Sequence, residues 1–154
     1  MKWLISASAI IALLLALPAW AQYWEALRNR AEQDPQALAQ LQHAAQHGHG
    51  EAAFYLGTLY APPICKQERT VAKSWDDALH WYRIAADLGE AKADFDLGLA
   101  YEKGLGVAKD PELARYYYRR MMTQAAREVG APADQAEALG TGEAFPSRAK
   151  DTVS

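Results

Sequence analysis

Three histidines stand close together in this 154-residue chain, at His43, His47 and His49. On a helix His43 and His47 lie one turn apart, a spacing that can chelate zinc, and Glu51 is near enough to add a carboxylate. Such a set would make a metal-binding or hydrolytic protein. The sequence has no H-E-x-x-H pattern, in which the glutamate serves as general base. A plainer reading also fits, because histidine near a helix C-terminus is favoured by the helix dipole. Cys65 is the one thiol, close to Pro62-Pro63, and no base stands beside it. In an oxidising compartment an odd cysteine is a reactive thiol, a bridge to another chain, or a buried inert side chain. No G-x-S-x-G elbow occurs, and beyond the apolar N-terminus the serines are Ser74, Ser147 and Ser154. The expectation is no enzyme, no cofactor and no metal site.

The bulk composition points the same way. A chain that is 51% hydrophobic and 23% charged forms a globular domain, and its length suits about one. The net charge of −3 argues against nucleic-acid binding, which rests on a basic surface. Lys2, the apolar run Leu4 to Leu17, the break at Pro18 and the small residues of Ala19-Trp20-Ala21 together look like a secretory signal peptide. The competing reading is an uncleaved anchor, since Trp3 to Ala21 could just cross a bilayer. Cleavage before Gln22 predicts a periplasmic or secreted bacterial product without stable membrane insertion.

The elements that hold these residues are set by a repeat. Gly48 and Gly89 are 41 residues apart, and so are Ala52 and Ala93, Leu56-Gly57 and Leu97-Gly98, and Tyr60 and Tyr101. A period in this range marks stacked supersecondary units. Ala52, Leu56, Leu59 and Tyr60 fall at i, i+4, i+7 and i+8, one face of a helix. Ala78, Tyr82, Ala85 and Ala86 mark a second helix in the unit, and Ala114 with Tyr118 a further copy 36 residues on. Gly57 and Gly98 sit inside first helices, where glycine costs about 1 kcal/mol against alanine. A repeated glycine there predicts close helix–helix approach. Asp34-Pro35 and Asp110-Pro111 predict helix starts, with the acid as N-cap and proline at the first turn.

The run Leu97-Gly98-Leu99-Ala100-Tyr101-Glu102-Lys103-Gly104-Leu105-Gly106-Val107, followed by Asp110, Ala114 and Tyr118, resembles the Sel1-like repeat, a branch of the tetratricopeptide-like solenoids. Ala52, Leu56-Gly57, Tyr60, Trp81-Tyr82, Ala85-Ala86 and Gly89 carry the resemblance in the earlier unit, over about residues 37–125 in all. There are two departures. A longer segment from Ala61 to Lys73 replaces the usual G-x-G-V turn, and Met121-Met122 stand where the family has alanines. The resemblance implies an all-α fold, a short right-handed superhelical solenoid of stacked antiparallel helix pairs. The expected layout is a signal peptide over 1–21, a helical repeat domain over 22–139 and a flexible tail over 140–154. Within the domain, units cover about 37–48, 49–89 and 90–125, between capping helices.

The resemblance also implies an adaptor that binds another protein. Small exported members occur beside secreted antibacterial effectors, so an immunity protein that neutralises a toxin is the narrower form. First helices of such solenoids line the concave side. The groove positions left by the core stripe are then Glu51, Tyr55 and Thr58, with Lys92, Asp96 and Leu99 as their counterparts. The two copies agree in the core and differ here, with an acidic-to-basic change between 51 and 92; drift on a solvated face would give the same pattern. The long loop, with Cys65, is a second expected contact, because loops on rigid scaffolds hold specificity.

Overall fold

A computed structural model describes residues 19–62 and 71–141. The apolar run up to Pro18, Cys65 and the segment from 142 onward lie outside the described residues. Among the described residues seven helices follow one another: α1 (Ala19–Ala31), α2 (Pro35–Gln46), α3 (Gly50–Tyr60), α4 (Trp75–Asp87), α5 (Ala91–Lys103), α6 (Pro111–Glu128) and α7 (Ala133–Thr141). Among the described residues there is no strand, and no helix is long and apolar enough to cross a membrane. The predicted cleavage point after Ala21 falls within α1, and α7 runs past the expected domain end at Leu139.

The helices pair in sequence order, α1 with α2, α3 with α4 and α5 with α6, and α1 also reaches α3. This is an α-solenoid, in which each pair is stabilised by its neighbours. Helix α1 is thus paired with α2. On it Leu27 is buried and Trp24 half-buried, while Tyr23 points outward. Leu41, Leu56, Leu59, Leu79 and Leu97 form the continuous core, with small alanines between them.

Local chemistry starts and stops each helix. Asp34 Oδ1 accepts from the Gln36 amide, and Asp110 Oδ1 accepts from the amides of Glu112 and Leu113. Ser74 caps α4 by accepting from the Asp77 amide. At the other ends Gly48, Gly89 and Gly130 all have positive φ. The amides of His49, Glu90 and Ala131 donate back to Ala44, Ala85 and Ala126, the 6→1 bond of a Schellman motif. Gly130 continues the 41-residue period of Gly48 and Gly89, which the offset of 36 at Ala114 conceals. The long segment after Tyr60 adds five residues to one unit, and α6, at 18 residues against 13 in α4, restores the same five in the next. The closure beneath that segment is the same in both units. The Ser74 amide donates to Tyr60 O at 2.9 Å, as the Asp110 amide does to Tyr101 O at 3.0 Å.

The repeated glycines mark the close approach that their position predicts. A Cβ on Gly57 would stand 2.6 Å from the Tyr82 ring, and one on Gly98 would stand 2.6 Å from the Tyr118 ring. Each ring also packs on a phenylalanine of the first helix. Phe54 and Tyr82 have centroids 5.9 Å apart, and so do Phe95 and Tyr118.

Candidate functional site

The inward turn of Ala52, Leu56 and Leu59 on α3, and of Ala93, Leu97 and Ala100 on α5, leaves a shared face on the two helices. On that face Lys92 Nζ lies 3.6 Å from Glu51 Oε1 and about 6 Å from the ring centroids of Phe54 (5.8 Å) and Tyr55 (6.0 Å). One ammonium thus joins the two repeats, although the pair contributes only about 0–1 kcal/mol because its lysine is exposed to solvent. Burial raises the Tyr55 hydroxyl above its ordinary value, and Lys92 opposes that shift.

The six expected groove residues divide in the structure. Glu51, Tyr55 and Lys92 meet as described. Thr58 faces its own helix and α1: its hydroxyl donates to Tyr55 O at 2.8 Å, and its carbonyl accepts from Arg28 at 3.1 Å. Leu99 is half-buried on α5 and lies outside the cleft next to Lys92. Asp96 lines that cleft.

The cleft lies between α3, α5 and α6, with a volume of about 490 Å³. Phe54, Phe95 and Met121 supply its apolar lining, and Lys92, Asp96 and Glu128 its polar groups. Phe95 is 48% exposed, unusual for a large apolar side chain in a cleft. Burial pushes the Asp96 carboxyl up to about 6, against a hydrogen bond with the Tyr82 hydroxyl that lowers it. Burial also raises Glu90, and the carboxylates of Glu51 and Glu128 add to that shift while Lys92 opposes it. The rim is therefore acidic around an apolar floor.

Asp96 makes a testable contribution to stability. Its folded value stands about two units above the unfolded one, so the folded state holds the proton more tightly. The stability gained from this proton is complete below the ordinary carboxylate range and is lost as pH rises toward 6. Asp96→Asn is expected to flatten the pH dependence of the melting temperature between pH 5 and 7.5. At pH 7.5 the gain is about 1–2 kcal/mol, below the full two-unit value because Asp96 keeps some exposure. Thermal melts across this range check it; an unchanged slope would refute it.

Phe54, Phe95 and Met121 were not among the expected site residues, although a signal existed. Phe54 and Phe95 are themselves 41 residues apart. Both copies retain the aromatic, so divergence between the copies does not mark it. Of the other aromatics, Tyr116 is 52% exposed, Tyr117 is half-buried and stacks on Tyr101 at 5.6 Å, and Trp75 packs against the core and beside Gly106.

The histidines are occupied locally. The rings of His43 and His47 stack at 4.0 Å, and His47 Nδ1 lies 2.7 Å from His43 O. The His49 ring lies 5.6 Å from Trp24. Among the described residues no group of three His, Cys, Asp or Glu side chains is placed to hold a metal ion.

Paired helices, a glycine beneath each tyrosine ring and an open face across two first helices define an α-solenoid of short repeats. The Sel1 repeat model matches residues 37–90 and 91–125, more than half of the chain, and the chain belongs to the Sel1 repeat family. A Sel1 repeat protein from Oxalobacter formigenes has the same fold, with a TM-score of 0.55 at 22% identity over 91% of this chain and 60% of that one. Chitin synthase regulatory factor 3 of Schizosaccharomyces pombe is 37% identical over 81 residues, 53% of this chain and 8% of that protein. The DAP3-binding cell death enhancer 1 of Rattus norvegicus is 35% identical over 48% of this chain and 13% of its own length. HRD3 of Candida glabrata, an ERAD-associated E3 ubiquitin-protein ligase component, is 31% identical over 59% of this chain and 10% of its length. The chain thus spans about a tenth of these relatives, and Sel1 repeat proteins bind other proteins.

Proposed function

We propose that this chain is a non-enzymatic adaptor module that binds another protein across the face of α3 and α5. Phe95 carries the reading: a half-exposed aromatic in a preformed cleft is the kind of pocket that anchors a partner side chain. With Asp96 and Glu128 outnumbering Lys92 in its lining, the cleft suits an aliphatic or aromatic side chain flanked by a basic one. The regulator and binding-protein names of the relatives support an adaptor. Lys2, the apolar run and Ala19-Trp20-Ala21 support export to the periplasm, and an immunity protein against a secreted toxin is the narrower form of the proposal. The segment from Ala61 to Lys73, with Cys65, is the proposed second contact.

A photo-crosslinking residue at position 95 of the full chain, in cells, is expected to capture one protein that the same residue at His80, outside the cleft, does not. Phe95→Ala should weaken binding of the captured protein about tenfold with little change in melting temperature. Equal capture from both positions would refute the cleft as the recognition surface.

A further inference from the structure

We propose a second binding site, the cleft between α6 and α7, which takes a run of carboxylates on an acidic segment of a partner protein. The cleft has a volume of about 740 Å³, larger than the one beside Phe95, and lies on the other side of α6. Arg115, Arg119, Thr123 and Arg127 line it at successive turns of α6, spaced i, i+4, i+8 and i+12. From Arg119 to Arg127 the helix rises about 12 Å, so the row meets several charges of an extended or helical segment.

The arginines differ in what already holds them. Arg115 is paired with Glu112. Arg120, at the base of the row, donates from Nε to the buried Asp94 at 2.6 Å and lies over the rings of Tyr116 and Tyr117. Arg119 and Arg127 form no ion pair among the described residues and are exposed. They are the two guanidiniums with donors to spare, and each can meet a carboxylate with two parallel N–H groups. Tyr116, 52% exposed beside them, adds an aromatic surface for the apolar part of the ligand.

The local charge selects the ligand class. The chain as a whole is acidic at −3, so this row stands against the overall field and steers an acidic segment to one place. Glu112 and Glu137 also line the cleft. Interleaved carboxylates would repel a continuous phosphate backbone, whereas discrete acidic side chains can settle between them.

The test uses the full chain and fluorescence anisotropy with labelled poly-glutamate, with poly-lysine, heparin and inorganic phosphate as the other probes. Poly-glutamate is expected to bind at low ionic strength and to weaken with added salt. The double variant Arg119→Glu/Arg127→Glu should weaken it at least about tenfold without lowering the melting temperature, and should gain affinity for poly-lysine. Phe95→Ala should leave poly-glutamate binding unchanged, so failure of this site and failure of the α3–α5 face remain distinguishable. Three results would overturn the proposal. One is absence of poly-glutamate binding or its indifference to the double variant. Another is tighter binding of heparin or phosphate, which would make the row a general polyanion or phosphate site. The third is a gain in affinity on deleting residues 142–154, which would make this chain's own end the occupant.

Discussion

Gly57→Val is expected to destabilise the domain by at least about 3 kcal/mol, and Gly57→Ala by about 1–2 kcal/mol. Helix propensity alone argues the opposite sign, because alanine is favoured over glycine by about 1 kcal/mol inside a helix. Packing overrides it. A Cβ at Gly57 meets Tyr82 Cδ1 at 2.6 Å and Cε1 at 2.7 Å, and the Ala78 carbonyl oxygen at 3.2 Å. The Tyr82 ring is 5% exposed and held against Phe54, so it has little room to withdraw. At Gly98 the opposing atoms all belong to Tyr118, a half-buried ring whose hydroxyl donates to the exposed Glu102 at 2.7 Å. That ring can move, and Gly98→Ala should cost less than Gly57→Ala. Urea unfolding of the three variants checks the order. A Gly57→Ala protein more stable than the parent would show that the ring yields at no cost.

Arg120→Ala should cost about 2–4 kcal/mol, and the deficit should grow with pH. The Asp94 side chain is fully buried, and the Arg120 guanidinium is its ion partner. Burial pushes the Asp94 carboxyl up, to about 6, while the Arg120 guanidinium pulls it down. Breaking a buried pair from one side leaves a charge without compensation, typically worth about 3–5 kcal/mol. The expected value is lower because Arg120 is one quarter exposed and because Asp94 can take up a proton instead. Removing the guanidinium raises the folded-state value further. The stability tied to that proton is present at low pH and lost as pH rises, so the variant falls further behind the parent at pH 8 than at pH 5.5. The second partner, Asp87 at 3.4 Å, is largely exposed and adds little. Chemical denaturation at the two pH values measures the difference. A pH-independent loss below about 1 kcal/mol would mean that water already solvates Asp94.

The amino-acid sequence by itself determined the repeat, the helix pairs and the family, because these rest on local and periodic rules. Caps at Asp34, Ser74 and Asp110 are decided within a few residues of themselves, and the period of 41 forces like residues into like places. The glycines at 57 and 98 announced a close approach through their cost alone. Only the tertiary structure decided what approaches them, which charges are paired and where the surface opens. The burial of Asp94 beneath Arg120 depends on how α6 lies across α5. Thr58 and Asp96 share a helical face with their expected groove neighbours. Yet the Thr58 hydroxyl turns back on Tyr55 while its carbonyl meets Arg28 of α1, and Asp96 lines a cleft that α3 and α6 complete, because these surroundings come from how the helices pack. Periodicity tells which side of a helix turns inward. What meets the other side is set by the packing of whole helices, and no single helix encodes it.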